Sequence, residues 1–310
     1  MQERAKAFAP AGISSFFEIC DTTKKGRPIS KPDRIGARGG GFVIEKGVLT
    51  EISLHRAAKT SVRTFINGRL ATEAETTKTV ARTLLERTDE KYDVRIEHKI
   101  EVPVGAGFGS SAAGALSTAL ALSKALDLTC TYNELGKIAH AAEVKCKTGL
   151  GTVGAIMLGG CIITVEPGAP SIALIDRIPI PHDYVIVAGV LDGIRTKDVL
   201  ASTERRLAVN AEGRKTLANI LANPSLENFL VCCLEFAERT GFMTERLRKL
   251  VKLAQKAGAI GASQNMVGEA IHAVTTLENV ERVVQAFKHV LPEEKIVVTK
   301  IDFQGARLVG

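Results

Sequence analysis

Short segments in which apolar and polar residues alternate run through the first half of the chain. Successive side chains of a strand point to opposite faces of a sheet, so this alternation predicts strands with one buried face. The segments concerned are 6–21 (with a turn at 10–12), 42–53 (as a hairpin), 61–67 and 92–100. A β-branched run at the end of 149–165 predicts a further strand, after a loop.

Seven further segments are predicted to be helices from the spacing or the composition of their residues. They are 72–87, 110–125, 131–144, 197–210, 226–239, 244–256 and 279–290. The segment 110–125 is small and apolar on every side, which predicts a helix buried between a sheet and other elements.

The chain has 310 residues, more than a single hydrophobic core usually contains, which predicts two domains. Composition changes after the stretch PGAP at 167–170, so we place the domains at 1–170 and 171–310. In the second domain, apolar strands are predicted at 184–191, 269–274 and 294–302. The helix between the last two strands favours an α+β fold with helices layered on an antiparallel, ferredoxin-like sheet.

Composition excludes several classes of protein. With 45% hydrophobic and 24% charged residues, and no apolar run long enough for a membrane span, we expect a globular protein without a membrane partner. No signal-peptide core opens the sequence, and six cysteines lack metal-ligand spacing, which favours reduced thiols in the cytoplasm. The net charge of +7 suits small anionic ligands, whereas no Trp and only three Tyr argue against nucleic acid.

Three alternating glycines, Gly105, Gly107 and Gly109, lie between the predicted strand at 92–100 and the predicted helix at 110–125. The first N–H groups of a helix have no intrahelical partner, and glycines let a phosphate approach the backbone, so this arrangement favours a phosphate site. A glycine-rich turn before a buried helix is the structural alternative. Hydroxyls in the first helical turn, from Ser110 and Ser111, favour the phosphate site because they cap the helix and can ligate Mg²⁺.

The two familiar phosphate loops are excluded. No GxxxxGK[ST] occurs, so there is no P-loop lysine. A GxGxxG string at Gly149, Gly151 and Gly154 follows a predicted helix and precedes an apolar, strand-like run, which is the reverse of the dinucleotide-binding context.

Two charged residues are further candidates for the site. Arg38 lies among glycines in GARGGG (36–41), where its guanidinium could point into a cavity and bind a carboxylate through two hydrogen bonds. Glu143 lies near the end of the helix predicted at 131–144, where it could complete Mg²⁺ coordination with Ser111. The alternatives are a solvated turn arginine and an exposed helix glutamate.

Three ordered stretches resemble the motifs of the GHMP kinases, which include the galacto-, homoserine, mevalonate and phosphomevalonate kinases. They are APAGISSFFE at 9–18, PVGAGFGSSAA at 103–113 and GAIGASQN at 258–265. Within that family, FFEI (16–19), GARGGG (36–41), KTGLG (147–151) and GASQNM (261–266) are most similar to the archaeal pantoate kinases.

The resemblance implies a two-domain GHMP kinase fold, an N-terminal nucleotide-binding domain and a ferredoxin-like C-terminal domain. It implies ATP and Mg²⁺ as cofactors, with Ser111 and Glu143 on the metal and ATP on Pro103, Gly105, Ala106, Gly107, Phe108, Gly109, Ser110, Ser111 and Ala112. It also implies acceptor contacts at Glu18, Asp21, Arg38, Ser263 and Asn265.

The activity implied is ATP-dependent phosphorylation of pantoate to 4-phosphopantoate, in coenzyme A biosynthesis. The alternatives are a GHMP kinase for another small acceptor, such as homoserine or mevalonate, and a non-catalytic ligand-binding protein of the same fold. The oligomeric state stays open, with a homodimer as one alternative.

Two residues depart from the mevalonate-kinase pattern. Counting from the Gly159–Gly160 pair, Thr152 falls where that branch has a catalytic aspartate, and Gly12 falls where it has the partner lysine. A threonine hydroxyl is a poor base because its pKa is far above neutrality, so Thr152 would at best orient the acceptor. The homoserine-kinase branch also lacks the aspartate, so its absence does not exclude catalysis.

Overall fold

A computed structural model describes residues 3–23, 25–191 and 202–310 of the chain. Its larger sheet has eight strands in the order β12-β1-β2-β5-β3-β4, with β6 pairing β2 and β7 pairing β6. The strands of this sheet are β1 (Glu3–Cys20), β2 (Gly36–Arg56), β3 (Ser61–Ile66), β4 (Arg69–Leu70), β5 (Tyr92–Ile100), β6 (Cys161–Glu166), β7 (Leu174–Ile178) and β12 (Arg307–Val309). All neighbours in it are antiparallel except β3 and β5.

The smaller sheet is antiparallel and has the order β11-β8-β10-β9. Its strands are β8 (Val185–Val190), β9 (Gly261–Gln264), β10 (Ala270–Thr275) and β11 (Ile296–Lys300). The α+β class expected from the sequence is confirmed by these two sheets and the helices packed on them.

The helices of the described ranges follow the predicted order, with one addition. They are α1 (Glu75–Leu85), α2 (Ser110–Ala125), α3 (Tyr132–Cys146), α4 (Thr152–Leu158), α5 (Thr203–Ala222), α6 (Leu226–Arg239), α7 (Glu245–Lys256) and α8 (Val280–Lys288). None of them is long and apolar enough to cross a membrane. The predicted helix at 197–210 begins in residues 192–201, which lie outside the described ranges.

Helix α2 is central because its small side chains let neighbouring elements approach from all sides. Every residue from 112 to 123 is buried, as the composition predicted. One apolar core packs α1, α2 and α3 against the larger sheet, and a second fills the space between the two sheets and α5, α6, α7 and α8. Strands β1 and β2 contribute to both cores, and β7 and β12 extend the larger sheet beyond residue 170, so the division of the chain at 170 stays a prediction.

Two turn predictions in the first strands are wrong. No turn interrupts β1 at 10–12, and β2 is one strand of 21 residues instead of a hairpin. Pro10 pairs with Gly47 and Ala11 with Ile44, so the polar residues between Ile44 and Gly47 form a bulge in β2. A bulge tolerates proline, which has no N–H to donate to the neighbouring strand. In the sequence, a bulge interrupts the alternating pattern with polar residues, and a hairpin turn does the same.

The loop predicted before β6 is in part a helix. Residues 152–158 form α4, whose seven residues are too few for their period to separate a helix from a loop and a strand. The helix starts directly after Gly151 and ends at Gly159, whose φ of 78° lies in the left-handed region. Thr152 is the first residue of α4 and therefore follows Gly151 directly.

Two histidines, His98 and His272, are buried in polar clusters and have no carboxylate partner among the described residues. His98 contacts the Thr50 hydroxyl through Nδ1 at 2.8 Å and the Thr77 hydroxyl through Nε2 at 3.0 Å. Burial lowers its pKa from 6.5 to about 4 and lowers that of His272, on β10, to about 3. Both histidines are therefore neutral in the folded protein at pH values where they are protonated in the unfolded chain.

We expect the free energy of unfolding to fall as the pH falls from 6.5 towards 4, because the unfolded state then binds more protons than the folded state. Each histidine contributes at most about 1.4 kcal/mol per pH unit in this window, and nothing above it. Urea unfolding of the protein and of His98→Gln, measured at about pH 7 and about pH 5, would show a smaller pH effect in the variant. The exposed His55→Gln is the control, and an equal pH effect in all three proteins would contradict the assignment.

Candidate functional site

A cavity of about 330 Å³ opens where β1, β2, the glycine loop at 105–109 and the start of α4 meet. Met266 and Val267, in the turn after β9, form another part of its wall. Of the predicted nucleotide contacts, six line it, namely Gly105, Gly107, Phe108, Gly109, Ser110 and Ser111. Pro103, Ala106 and Ala112 do not belong to its lining, so their predicted contact with the nucleotide stays a prediction.

The glycine loop holds its shape through left-handed backbone angles and one bond to β1. Gly105, Gly107 and Gly109 have φ values of 79°, 80° and 61°, which side chains with a Cβ rarely adopt. The N–H of Gly12 donates to the Phe108 carbonyl at 3.1 Å and fixes the loop against β1. The first bond of α2 runs from Ala113 N to Gly109 O, so the N–H groups of residues 110–112 precede the helical ladder and can bind an anion.

The carboxylate of Glu143 lies beside the first turn of α2. Its Oε1 accepts a hydrogen bond from the Ser111 hydroxyl and another, of 2.6 Å, from the Thr148 hydroxyl. Burial raises the pKa of Glu143, and these two hydrogen bonds oppose that shift. A Cβ on Gly149 would lie 2.2 Å from Oε2, so only glycine leaves room for the carboxylate there.

This oxygen set fits a hard cation such as Mg²⁺ that arrives with a phosphate ligand. Ser111 and Glu143 offer a hydroxyl and a carboxylate at a helix N-terminus, and both line the cavity. In the described ranges, no group of three or more His, Cys, Asp or Glu residues could hold a metal ion by itself. Mg²⁺ commonly keeps only one or two protein carboxylates and takes its other oxygens from substrate phosphates and water.

Thr152 and Gly12, the two departures from the mevalonate-kinase pattern, are neighbours in space. A Cβ on Gly12 would lie 2.9 Å from Thr152 Cγ2, and a Cβ on Gly109 would lie 2.7 Å from the same atom. The methyl group of Thr152 thus occupies the space that a side chain at position 12 would need. Among the described residues that line the cavity, Glu143 is the only carboxylate.

Arg38 enters the cavity from β2 and is held by three acceptors. Its Nε donates to the Val165 carbonyl at 3.0 Å, and its two terminal nitrogens bind Glu18 Oε2 at 3.3 Å and Glu166 Oε2 at 3.1 Å. A guanidinium has five N–H donors, so two stay available for a ligand while the plane of the group is fixed.

Glu18 and Asp21 bind arginines and do not belong to the cavity lining. Glu18 is 5% exposed, and its Oε1 accepts from Arg214 of α5 at 2.7 Å, while Asp21 forms an ion pair with Arg206 of the same helix. Sequence reasoning missed both arginines, although their spacing of eight residues places them on one face of a helix. It also missed Glu166, and it gave Thr148 no role.

Ser263 and Asn265 are fully buried and lie behind the cavity wall. Asn265 packs against the glycine loop, since a Cβ on Gly107 would lie 3.0 Å from its own Cβ. Its Oδ1 is 2.9 Å from Nδ1 of His272, while its Nδ2 and the Ser263 hydroxyl have no hydrogen-bond partner among the described residues. Neither side chain belongs to the cavity lining, so their predicted contact with the substrate that accepts the phosphoryl group stays a prediction.

Known proteins resemble the chain over nearly its whole length. Residues 75–160 match the "GHMP kinases N terminal domain". A "Pantoate kinase" of Thermococcus kodakarensis is 32% identical over 285 residues, 90% of either chain. A second, of Methanocaldococcus jannaschii, is 29% identical and covers 91% of this chain and 97% of its own. A solved structure described as "Phosphotransferase related to CoA biosynthesis pathway" has a TM-score of 0.88 at 30% identity, over 99% of this chain and 98% of that one.

Proposed function

Because this chain belongs to the GHMP kinases, we propose that it transfers the γ-phosphoryl group of ATP to the terminal hydroxyl of pantoate. The product is 4-phosphopantoate, a precursor of coenzyme A. The observation that carries the proposal is the hydrogen bond between Ser111 and the buried Glu143, in a cavity whose other wall is the anion-binding glycine loop. The choice of pantoate is supported by the two relatives named pantoate kinase, which align with about nine tenths of the chain.

Phosphoryl transfer requires that the phosphates are held, that their charge is neutralised and that the acceptor hydroxyl lies in line. The glycine loop and the N–H groups of residues 110–112 hold the phosphates. Ser111 and Glu143 are the residues that would hold Mg²⁺, which when bound neutralises charge on the β- and γ-phosphate oxygens. All six cysteines are free, in keeping with the cytoplasm as the place of this reaction.

Two other functions remain as alternatives: a GHMP kinase for another small acceptor, and a ligand-binding protein without activity. The experiment that separates them is a coupled assay of ADP release with pantoate, homoserine, mevalonate and galactose. We expect turnover with pantoate and at least tenfold lower kcat/KM with the other three, a difference of about 1.4 kcal/mol or more. A kcat/KM for another acceptor that is higher than that for pantoate or within about tenfold of it, or no turnover with any of the four, would contradict the proposal.

We propose that Arg38 binds the carboxylate of pantoate. Its orientation is set by Glu18, Glu166 and the Val165 carbonyl before any ligand binds, and its two remaining donors suit the two oxygens of a carboxylate. The carboxylate of pantoate and the phosphates of ATP would then bind at different parts of one cavity. Binding at both parts would orient the hydroxyl of pantoate towards the phosphates.

Arg38→Ala is expected to raise the KM for pantoate roughly thirtyfold or more, since truncating one partner of a buried charge pair costs about 2–5 kcal/mol. The KM for ATP should stay within about twofold. Arg214→Ala is the matched control, because it also removes an arginine from Glu18 but does not touch the cavity lining. A rise in both KM values, or an equal effect of the two variants, would mean that Arg38 acts on the fold and does not bind the acceptor.

The second proposal about the site concerns the missing base. Glu143 would hold the metal ion, and Glu18 and Asp21 are bound to arginines and do not belong to the cavity lining. We propose that the acceptor hydroxyl loses its proton late, to the γ-phosphoryl group itself. A loose transition state allows this order because nucleophile activation contributes little there.

Thr152→Ala is accordingly expected to lower kcat less than about tenfold, whereas loss of a positioned base typically costs about 10²–10⁴-fold. Steady-state kinetics of this variant, beside Glu18→Gln and Asp21→Asn, measure the difference. A decrease above about a hundredfold in the threonine variant alone, with the protein folded and still binding ATP, would exclude the mechanism without a base.

A further inference from the structure

The hydroxyl of Thr148 has no role in the function proposed so far, although it donates a hydrogen bond of 2.6 Å to Glu143 Oε1. Thr148 follows Lys147, which ends α3 in the left-handed conformation with a φ of 57°. That turn brings the backbone N–H of Thr148 to the Glu143 carbonyl at 3.0 Å and its side chain back to the carboxylate. The turn at the end of α3 thus places the Thr148 hydroxyl beside the carboxylate of Glu143, which lies on that helix.

Thr148 is itself held by a second threonine. The hydroxyl of Thr76, on α1, lies 3.1 Å from that of Thr148 and is buried. A hydroxyl has one proton, and an ionised carboxylate can only accept, so Thr148 donates to Glu143 and Thr76 donates to Thr148. The direction of the hydrogen bonds is therefore fixed from α1 through Thr148 to Glu143.

Ser111 donates a second hydrogen bond to the same oxygen of Glu143. If Ser111 and Glu143 held a cation, the hydroxyl would keep its proton but would no longer donate it to Glu143, so this hydrogen bond would be lost on binding. The bond from Thr148 would then be the remaining side-chain hydrogen bond described for the carboxylate. Gly149 confines the other carboxylate oxygen, because a Cβ there would lie 2.2 Å from Oε2.

We propose that Thr148 is a positioning residue for Glu143: its hydroxyl, oriented by Thr76, holds the carboxylate where it and Ser111 meet a divalent cation bound to the nucleotide. The inference depends on the proposed kinase function, because it assumes a nucleotide with a metal ion in this cavity. Thr148 also lines the cavity, so the alternative to this positioning role is a direct contact between Thr148 and the substrate.

The test is calorimetric titration of a non-hydrolysable ATP analogue, with and without Mg²⁺, into the protein and its variants Thr148→Val and Thr148→Ser. Loss of a hydrogen bond to a metal ligand commonly costs about 10–100-fold in metal affinity. We expect Thr148→Val to raise the Mg²⁺ concentration for half-maximal binding at least tenfold and to leave binding of the metal-free analogue within about twofold. Thr148→Ser, which keeps the hydroxyl, should restore the Mg²⁺ dependence of the native protein.

Thr79→Val is the matched control, because Thr79 contacts Cys146 at the edge of the same region but is not part of this chain of hydroxyls. It should leave the Mg²⁺ dependence unchanged, and thermal unfolding of each variant shows that it is folded. An unchanged Mg²⁺ dependence in Thr148→Val, or equal weakening of metal-free and metal-bound analogue, overturns the inference. Failure of the native protein to bind the analogue at all would instead overturn the proposed function.

Discussion

The close contact between Gly12 of β1 and the glycine loop is the constraint on which the site depends. The bond from Gly12 N to Phe108 O holds the loop, and neither Gly12 nor Gly109 has space for a Cβ beside Thr152. Because the loop is fixed, the first turn of α2 faces the cavity with its unpaired N–H groups and its two serines. A larger residue at either glycine would displace the loop and the start of the helix together.

The charged groups around the cavity form two separate sets with different tasks. At the end near α3, one buried carboxylate is surrounded by hydroxyls, which suits a cation. At the end near β6, Arg38 is surrounded by carboxylates, which suits an anion and leaves two donors for it. Glu18 binds both Arg38 and Arg214 of α5, so it connects the Arg38 end of the cavity to that helix. A shift of α5 would therefore change the position of the Arg38 guanidinium.

The parts that the sequence predicts well are those whose residues are close in the chain. The burial of α2 follows from its composition, the loop from its glycines, and β5 from its alternation, and these need no knowledge of distant contacts. The errors arise where distant contacts decide the structure. The bulge in β2 exists because β1 pairs across it, and the roles of Thr148 and Glu166 depend on elements far apart in sequence that meet only in the fold.

The two long strands β1 and β2 have a consequence for how the protein folds. One part of the pair packs under α1–α3 and another part faces the smaller sheet, and β12, from the C-terminus, closes the free edge of β1. Neither apolar core is complete without residues from both ends of the chain. Because both cores share β1 and β2, we expect the loss of one core to weaken the other, so that local unfolding near the C-terminus would also disturb the glycine loop.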